Sequence, residues 1–139
     1  MATQQQPPVR VDTPIDDYDA IAATVQLYID GSAHGDAGKL SEGFHPNAQM
    51  YGAIGGDRFD VPITDYIKLM GQSPGGATLR GRIASIAQAG DAATATVLEE
   101  GFWGTMSFVT FLGLSRIDGR WRMVSKTFAH TGGAMPAEG

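Results

Sequence analysis

The stretch Val25–Met50, VQLYIDGSAHGDAGKLSEGFHPNAQM, indicates a helix that breaks and then restarts. Apolar residues in and before it recur with a period of about 3.6, which is typical of a helix with one buried face. Gly35 ends the first helix, and Asp36 can cap the second by accepting a bond from an unpaired backbone N–H. Pro46 is expected to end the second helix, because the residue before a proline disfavours helical geometry. This stretch therefore predicts two consecutive helices, of which the first begins at Pro14.

The rest of the chain is predicted to be mainly β-structure. Gly55-Gly56-Asp57 indicates a hairpin, and Pro62 opens a third helix. Four long segments follow, at residues 78–89, 92–102, 106–117 and 120–130, and the turn Asp118-Gly119 separates the last two. Helices followed by an antiparallel meander indicate the α+β class. We expect a cone-shaped, curved antiparallel sheet wrapped around three helices from the N-terminal half.

Length and composition limit the class of protein. The 139 residues suffice for one domain with one core, predicted over residues 13–131 between a disordered arm (1–12) and a flexible tail (132–139). The net charge of -5 argues against nucleic acid or an anionic membrane as a partner. The absence of cysteine excludes disulfides and thiolate metal sites. With neither a signal peptide nor a membrane helix in the sequence, we expect a cytoplasmic location.

Turn positions give a trial register for the meander. A tight turn at Asp118-Gly119 pairs Lys126 with Phe111, and similar turns place Glu99 opposite both Arg82 and Val109. Because side chains alternate along a strand, this register predicts one face that lines a cavity. That face carries Arg82, Glu99, Val109, Phe111, Lys126, Phe128 and His130. The opposite face carries Leu79, Ile83, Leu98, Leu112, Leu114, Trp121 and Met123.

Two motifs resemble the nuclear transport factor 2-like superfamily. Val25–Met50 looks like its first two helices, and the hairpin IDGRWRMVSKTFAH at residues 117–130 resembles its SnoaL-like polyketide cyclase or lumazine-binding branch. The resemblance spans about residues 14–130 and implies a cystatin-like α+β barrel that binds a small molecule and forms a homodimer through its sheet. Members include ketosteroid isomerases, dehydratases, polyketide cyclases, epoxide hydrolases and non-catalytic binding modules, so the fold alone does not select a function.

The ketosteroid isomerases within this superfamily provide a comparison at the level of residues. Tyr28 occupies the place of their oxyanion-hole tyrosine. Gly52 stands where they carry the general base, and Gly113 lies near the place of their protonated aspartate. Since glycine supplies neither group, steroid isomerisation by that mechanism is not expected.

The candidate catalytic residues are Glu99, His130 and Tyr28. Glu99 could act as a general base if burial raises its pKa, although a cross-strand ion pair with Arg82 is the alternative. His130 suits proton transfer at a cavity mouth, or is simply solvated. Tyr28 could donate a hydrogen bond to a developing oxyanion, or be an ordinary core tyrosine. The candidate ligand contacts are Lys126, Phe128, Phe111, Val109 and Trp103.

No metal or cofactor is expected, because the histidines at positions 34, 45 and 130 lack metal-binding spacing. His45 is interpreted as a structural residue of the bend before the first strand. Two functions stay open. One is a cofactor-free acid–base enzyme, an isomerase, dehydratase or cyclase, that acts on a small cyclic or aromatic compound. The alternative is a non-catalytic module for ligand binding or dimerisation.

Overall fold

The computed structural model describes residues 13–136. The arm predicted at residues 1–12 and the last three residues of the predicted tail lie outside this range. The elements, in order, are α1 (Pro14–His34), α2 (Ala37–Gly43), β1 (Phe44–Ile54), β2 (Asp57–Arg58), β3 (Val61–Pro62), α3 (Ile63–Gln72), β4 (Arg80–Ala89), β5 (Ala92–Phe102), β6 (Met106–Ile117) and β7 (Arg120–Gly132).

The predicted break between the first two helices is present. The side chain of Thr13 accepts a hydrogen bond from the backbone N–H of Asp16 at the start of α1, and Asp16 bonds back to the N–H of Thr13. Gly35 ends α1 in the left-handed region at φ 66°, which glycine adopts without strain. Asp36 then accepts a hydrogen bond from the N–H of Lys39 and caps α2.

The junction between α2 and β1 differs from the sequence expectation. The helix ends at Gly43, and β1 starts at Phe44 and runs through Pro46. The register of β1 against β7 shifts between Phe44 and Gln49, and such an irregularity accommodates a proline that has no N–H to donate. His45 has the structural contact of a bend residue, since its Nδ1 accepts a hydrogen bond from the N–H of Asn47.

The α+β class and the curved sheet are confirmed. The seven-stranded sheet has the order β2-β1-β7-β6-β5-β4, and β3 pairs with β1. Strands β4 to β7 form the predicted antiparallel meander, whereas β1 pairs with β7 in parallel, so the sheet is mixed. A turn fixes the direction of each meander strand, but β1 follows a helix and no hairpin sets its direction relative to β7.

The core lies between the helices and the concave face of the sheet. From α1, Ile21, Val25 and Tyr28 are almost completely buried. The Tyr28 ring packs edge-on against the Phe44 ring, with 5.9 Å between centroids. These contacts hold the middle of α1 directly above the sheet.

The predicted register holds near the last turn and then slips. Pairing runs as expected from Ile117 with Arg120 to Leu114 with Met123, where a bulge adds one residue to β7. Beyond the bulge, Lys126 pairs with Leu112, so its predicted pairing with Phe111 is wrong.

The pairing predicted for Glu99 is wrong on both sides. A register shift between Ile83 and Ser85 places Glu99 opposite Gly81, and on the other side Glu99 pairs with Phe108. An offset of one residue moves every side chain of a strand to the other face, and two predicted cavity residues leave the site for this reason. Phe111 is 50% exposed and, like Val109, lies on the convex face.

The residues on the concave face of the sheet therefore differ from those predicted. Arg82 is exposed, and its guanidinium donates a hydrogen bond to the Gly81 carbonyl oxygen, so it is not a cavity residue. Several residues predicted on the face opposite Lys126 are instead buried on the same side, namely Leu112, Leu114, Trp121 and Met123. Glu99 and Lys126 keep their predicted inward orientation, with exposures of 4% and 5%.

Candidate functional site

A narrow cavity opens between α3, β1 and the concave face of the meander. Its volume is about 40 Å³, which is room for a few water-sized groups. The apolar part of its wall consists of Met50, Ile54, Phe59, Leu69, Met70, Phe102, Trp103, Phe108 and Phe128. The polar or charged residues in the wall are Tyr66, Glu99 and Lys126. A hollow in front of Lys126 and Phe128 was expected, but aromatic side chains fill more of it than the sequence suggested.

Glu99 holds a carboxylate in the middle of this wall. The hydroxyl of Tyr28 donates to it, at 2.9 Å from Oε2 and 3.1 Å from Oε1. Thr110, which is completely buried, contacts the same tyrosine hydroxyl at 3.4 Å and also hydrogen-bonds to Glu99. The carboxylate is therefore positioned by groups from α1 and β6.

Burial dominates the protonation of this cluster. It raises the pKa of Glu99 above its ordinary value of 4.5, although the charge of Lys126 and the hydrogen bonds from Thr110 and Tyr28 partly oppose this. Burial and the Glu99 charge both raise the pKa of Tyr28. Tyr28 therefore keeps its proton and acts as a hydrogen-bond donor, while Glu99 is a stronger base than an exposed carboxylate.

Lys126 extends from β7 into an aromatic enclosure. Its Nζ lies 4.3 Å from the ring centroid of Phe128, 4.5 Å from that of Tyr66 and 5.6 Å from that of Tyr28. It also donates a weak hydrogen bond to Sδ of Met50 at 3.6 Å. Burial lowers the pKa of Lys126 to about 8, with the Glu99 charge acting in the opposite direction.

Tyr66 and Thr110 were missed as site residues. Tyr66 lies on the apolar face of α3, where the sequence suggested only core packing, and its hydroxyl is 2.6 Å from that of Ser32. Thr110 interrupts an apolar run in β6, and only the correct register shows that it lies on the concave side of the sheet, where it is completely buried and contacts the Tyr28 hydroxyl. A polar residue within a buried strand was the available signal for Thr110.

Of two further predicted residues, His130 lies outside the cavity wall and Trp103 forms part of it. His130 packs against the Phe108 ring at 5.4 Å, and its Nε2 is hydrogen-bonded to the Gly133 carbonyl oxygen at 2.6 Å, so it is held near the rim rather than in the cavity wall. Trp103 does line the cavity, and its indole N–H donates to the Ser73 carbonyl oxygen. The carboxylate and ammonium thus come together without the histidine.

Gly52 explains how the Phe128 ring fits beside β1. A Cβ atom at Gly52 would lie 2.3 to 2.5 Å from three atoms of that ring, which is closer than van der Waals contact permits. Phe128 therefore occupies the space that a longer side chain at position 52 would need. The base position of the ketosteroid isomerases is filled by an aromatic ring, and the carboxylate of this cavity comes from β5 instead.

Residues 13–136 contain neither a metal-binding cluster nor a membrane-spanning helix. No group of three or more His, Asp or Glu side chains is arranged to hold a metal ion in that range. No helix within it has the length and apolarity needed to cross a membrane.

Comparison with known sequences gives two matches of different kinds. The sequence model of the family described as "Putative lumazine-binding" matches residues 16–129. The protein named "Aldolase FrzH" from Cladobotryum sp is 31% identical over 112 residues, which is 81% of this chain and 90% of that protein.

Solved structures share the same architecture. An NTF2-like protein of unknown function from Silicibacter pomeroyi DSS-3 superposes with a TM-score of 0.79 at 25% identity, covering 86% of this chain and 100% of that one. Another, from Methylobacillus flagellatus KT, has a TM-score of 0.78 at 28% identity, covering 87% of this chain and 97% of that one.

Proposed function

Because the chain belongs to the "Putative lumazine-binding" family of the nuclear transport factor 2-like superfamily, and its cavity holds a buried carboxylate, we propose that it is a cofactor-independent acid–base enzyme. The reaction begins with removal of a proton from the carbon next to a carbonyl group in a small organic compound. Glu99 is the base. The observation that carries the proposal is its burial in an apolar wall with Tyr28 and Lys126 beside it.

The surroundings of Glu99 suit proton abstraction. A carboxylate with a raised pKa accepts a proton more readily, and general bases of this kind contribute roughly a hundredfold to ten-thousandfold to rates. The hydrogen bond from Tyr28 fixes the orientation of the carboxylate. Loss of the substrate proton leaves an enolate, whose negative charge the Lys126 ammonium stabilises across the cavity.

The enolate can follow more than one course. If the proton returns at another carbon, the reaction is an isomerisation; if the enolate carbon attacks a second carbonyl, a carbon–carbon bond forms. The relative named as an aldolase favours the carbon–carbon course. Dehydration starts from the same proton transfer when a hydroxyl leaves from the neighbouring carbon.

The cavity wall supports a small, uncharged substrate. Aromatic and aliphatic side chains surround the carboxylate, and ring faces from Phe102 and Phe108 favour a cyclic or aromatic compound. Any cyclic substrate requires side chains of the wall, such as Phe128 or Trp103, to move, because the open volume is about 40 Å³.

Deuterium exchange tests the proposal without knowledge of the natural substrate. Small ketones and aldehydes, including cyclohexanone and phenylacetone, are incubated with the protein in D₂O, and loss of the α-proton signal is followed by NMR. Exchange faster than in buffer for at least one compound, and dependent on Glu99, supports the proposed function. Exchange at the buffer rate for the whole set favours a non-catalytic binding module.

The binding-module alternative has its own supporting observation. The hydroxyl of Tyr28 lies within 3.1 Å of both carboxylate oxygens of Glu99, so that carboxylate already has an internal partner. For a module, ligand binding measured by calorimetry would persist without any exchange.

A homodimer formed through the sheet is part of the proposal, and a cytoplasmic location stays a prediction. The convex face presents Leu98 at 47% exposure and Phe111 at 50%, and both belong to neighbouring strands. Exposed apolar side chains of this size are typical of an interface. We expect Phe111→Asp to shift the protein from dimer to monomer in light scattering, while Thr64→Asp, at an exposed position of α3 away from the sheet, serves as a comparison. A wild-type monomer would contradict the dimer.

A further inference from the structure

Lys126 is the buried amine of the cavity wall. Of the three lysines in the sequence, Lys68 is exposed and Lys39 is half-buried, whereas Lys126 is 5% exposed. Its Nζ contacts aromatic faces and the Met50 thioether, and the residue lines the same cavity as Glu99. A lysine desolvated in an apolar pocket is a recognised arrangement for covalent attack on carbonyl compounds.

We propose that Lys126 is a covalent site for small aldehydes and ketones, with its Nζ forming a Schiff base to the carbonyl carbon inside the cavity. The inference deepens the proposed function, since it rests on a carbonyl substrate that enters this cavity. In this mechanism Lys126 activates the substrate through a covalent bond and not by stabilising an enolate with its charge. Glu99 is still the base that removes the α-proton.

The step balances without an external reagent. The lone pair of the neutral Nζ forms a bond to the carbonyl carbon, and a proton passes from that nitrogen to the carbonyl oxygen to give a neutral carbinolamine. The hydroxyl takes up a second proton, from the solvent, and leaves as water while the nitrogen lone pair forms the C=N bond, giving a protonated Schiff base. Glu99 next removes the α-proton to yield an enamine, and after the carbon reacts, water hydrolyses the C=N bond and returns the free amine.

The aromatic enclosure suits both forms of the nitrogen. The faces of Tyr66 and Phe128 attract the ammonium before reaction. A protonated Schiff base keeps one positive charge on the same nitrogen, so the enclosure and the Glu99 charge continue to stabilise it. The cationic nitrogen then withdraws electrons from the α-carbon, which makes the proton easier for Glu99 to remove.

The lowered pKa of Lys126 also permits nucleophilic attack by its amine on a carbonyl carbon. With a pKa of about 8 for Lys126, roughly a tenth of the molecules carry the neutral amine at pH 7. The apolar side chains of the wall leave room for only a few water molecules beside a Schiff base.

Reductive trapping tests the covalent site. The protein is incubated at pH 7 with acetone, cyclohexanone or benzaldehyde in the presence of cyanoborohydride, which reduces a Schiff base to a stable amine. Peptide mass mapping then compares Lys126 with Lys39 and Lys68 in the same molecule. We expect modification of Lys126 at least tenfold above Lys68 with at least one probe, and its loss in Lys126→Arg but not in Lys68→Arg.

The outcomes separate this inference from the proposed function. Modification of Lys126 no greater than that of Lys68 overturns the covalent site; α-proton exchange that persists in Lys126→Arg shows that acid–base chemistry stands without it. Selective modification of Lys126 in a protein that catalyses no α-proton exchange would support the covalent site and contradict the proposed function. Because the mapping uses the wild-type protein, the result does not depend on whether a variant folds.

Discussion

The Glu99→Gln variant is expected to lose at least about a hundredfold in the rate of α-proton exchange. The amide keeps the shape of the side chain but is too weak a base to accept a proton from the substrate. Its ability to accept the hydrogen bond from Tyr28 is retained, so the site keeps its shape. The rate is measured by NMR in D₂O with the best compound of the panel, and ligand affinity is expected to change little.

Glu100→Gln is the matched control for this experiment. Glu100 is the next residue along β5, points to the opposite face and pairs with Arg80 at the surface, where both side chains are more than half exposed. The Glu100→Gln variant therefore makes the same chemical change at a residue outside the cavity wall. Equal exchange rates in the wild-type protein and in Glu99→Gln would show that Glu99 is not the base.

The free energy of unfolding is expected to rise by about 1 kcal/mol between pH 8 and pH 10, the net of a rise of about 2 kcal/mol from Lys126 and a fall of about 1 kcal/mol from the buried tyrosines. The cause is Lys126, whose pKa is lowered to about 8 in the folded protein from 10.5 in the unfolded chain. Between these two values the unfolded state binds more protons than the folded state, so stability increases with pH. Urea denaturation at several pH values provides the measurement.

The upper limit of pH 10 follows from the buried tyrosines. Burial raises the pKa of Tyr28 and Tyr66 above 10, so ionisation of the unfolded chain begins to lower stability as the pH approaches 10 and outweighs the Lys126 contribution beyond it. Lys126→Met is expected to remove the rise, whereas Lys68→Met, at an exposed position, is expected to keep it. A wild-type stability that stays flat or falls from pH 8 to pH 10 would show that Lys126 is not held in a desolvated site.

Features governed by neighbouring residues could be predicted from the sequence. The cap at Thr13, the break at Gly35 and Asp36, and the turn at Asp118-Gly119 depend only on residues a few positions apart, and the structure contains all of them. Pairing of β1 with β7 could not be predicted in the same way, because those strands are far apart in sequence.

Register was the main source of error in the site. A bulge in β7 and another in β4 each add one residue, and no residue type in those strands marks the position. The bulge in β7 is why Phe111 and Val109 were placed on the cavity face and Thr110 was missed, and the bulge in β4 is why Arg82 was placed there. Glu99 and Lys126 were predicted to face inward, although the partners assigned to them were wrong.

The position of the carboxylate distinguishes this cavity from the ketosteroid isomerase pattern. Gly52 leaves the first strand without a base and gives its space to the Phe128 ring. Glu99 supplies the carboxylate from the facing strand β5 and remains bonded to Tyr28 of α1. In this chain the buried carboxylate of the cavity therefore lies on β5, and position 52 of β1 has no room for a side chain.

Titration of the Glu99 carboxyl group by carbon-13 NMR tests the central claim most directly. We expect a titration midpoint above the ordinary 4.5, because burial outweighs the Lys126 charge and the hydrogen bonds. In Tyr28→Phe we expect the pKa of Glu99 to rise further, because this variant lacks the hydroxyl that stabilises the ionised carboxylate. A midpoint at or below 4.5 in the wild-type protein, unchanged in Tyr28→Phe, would contradict a buried base held by that tyrosine.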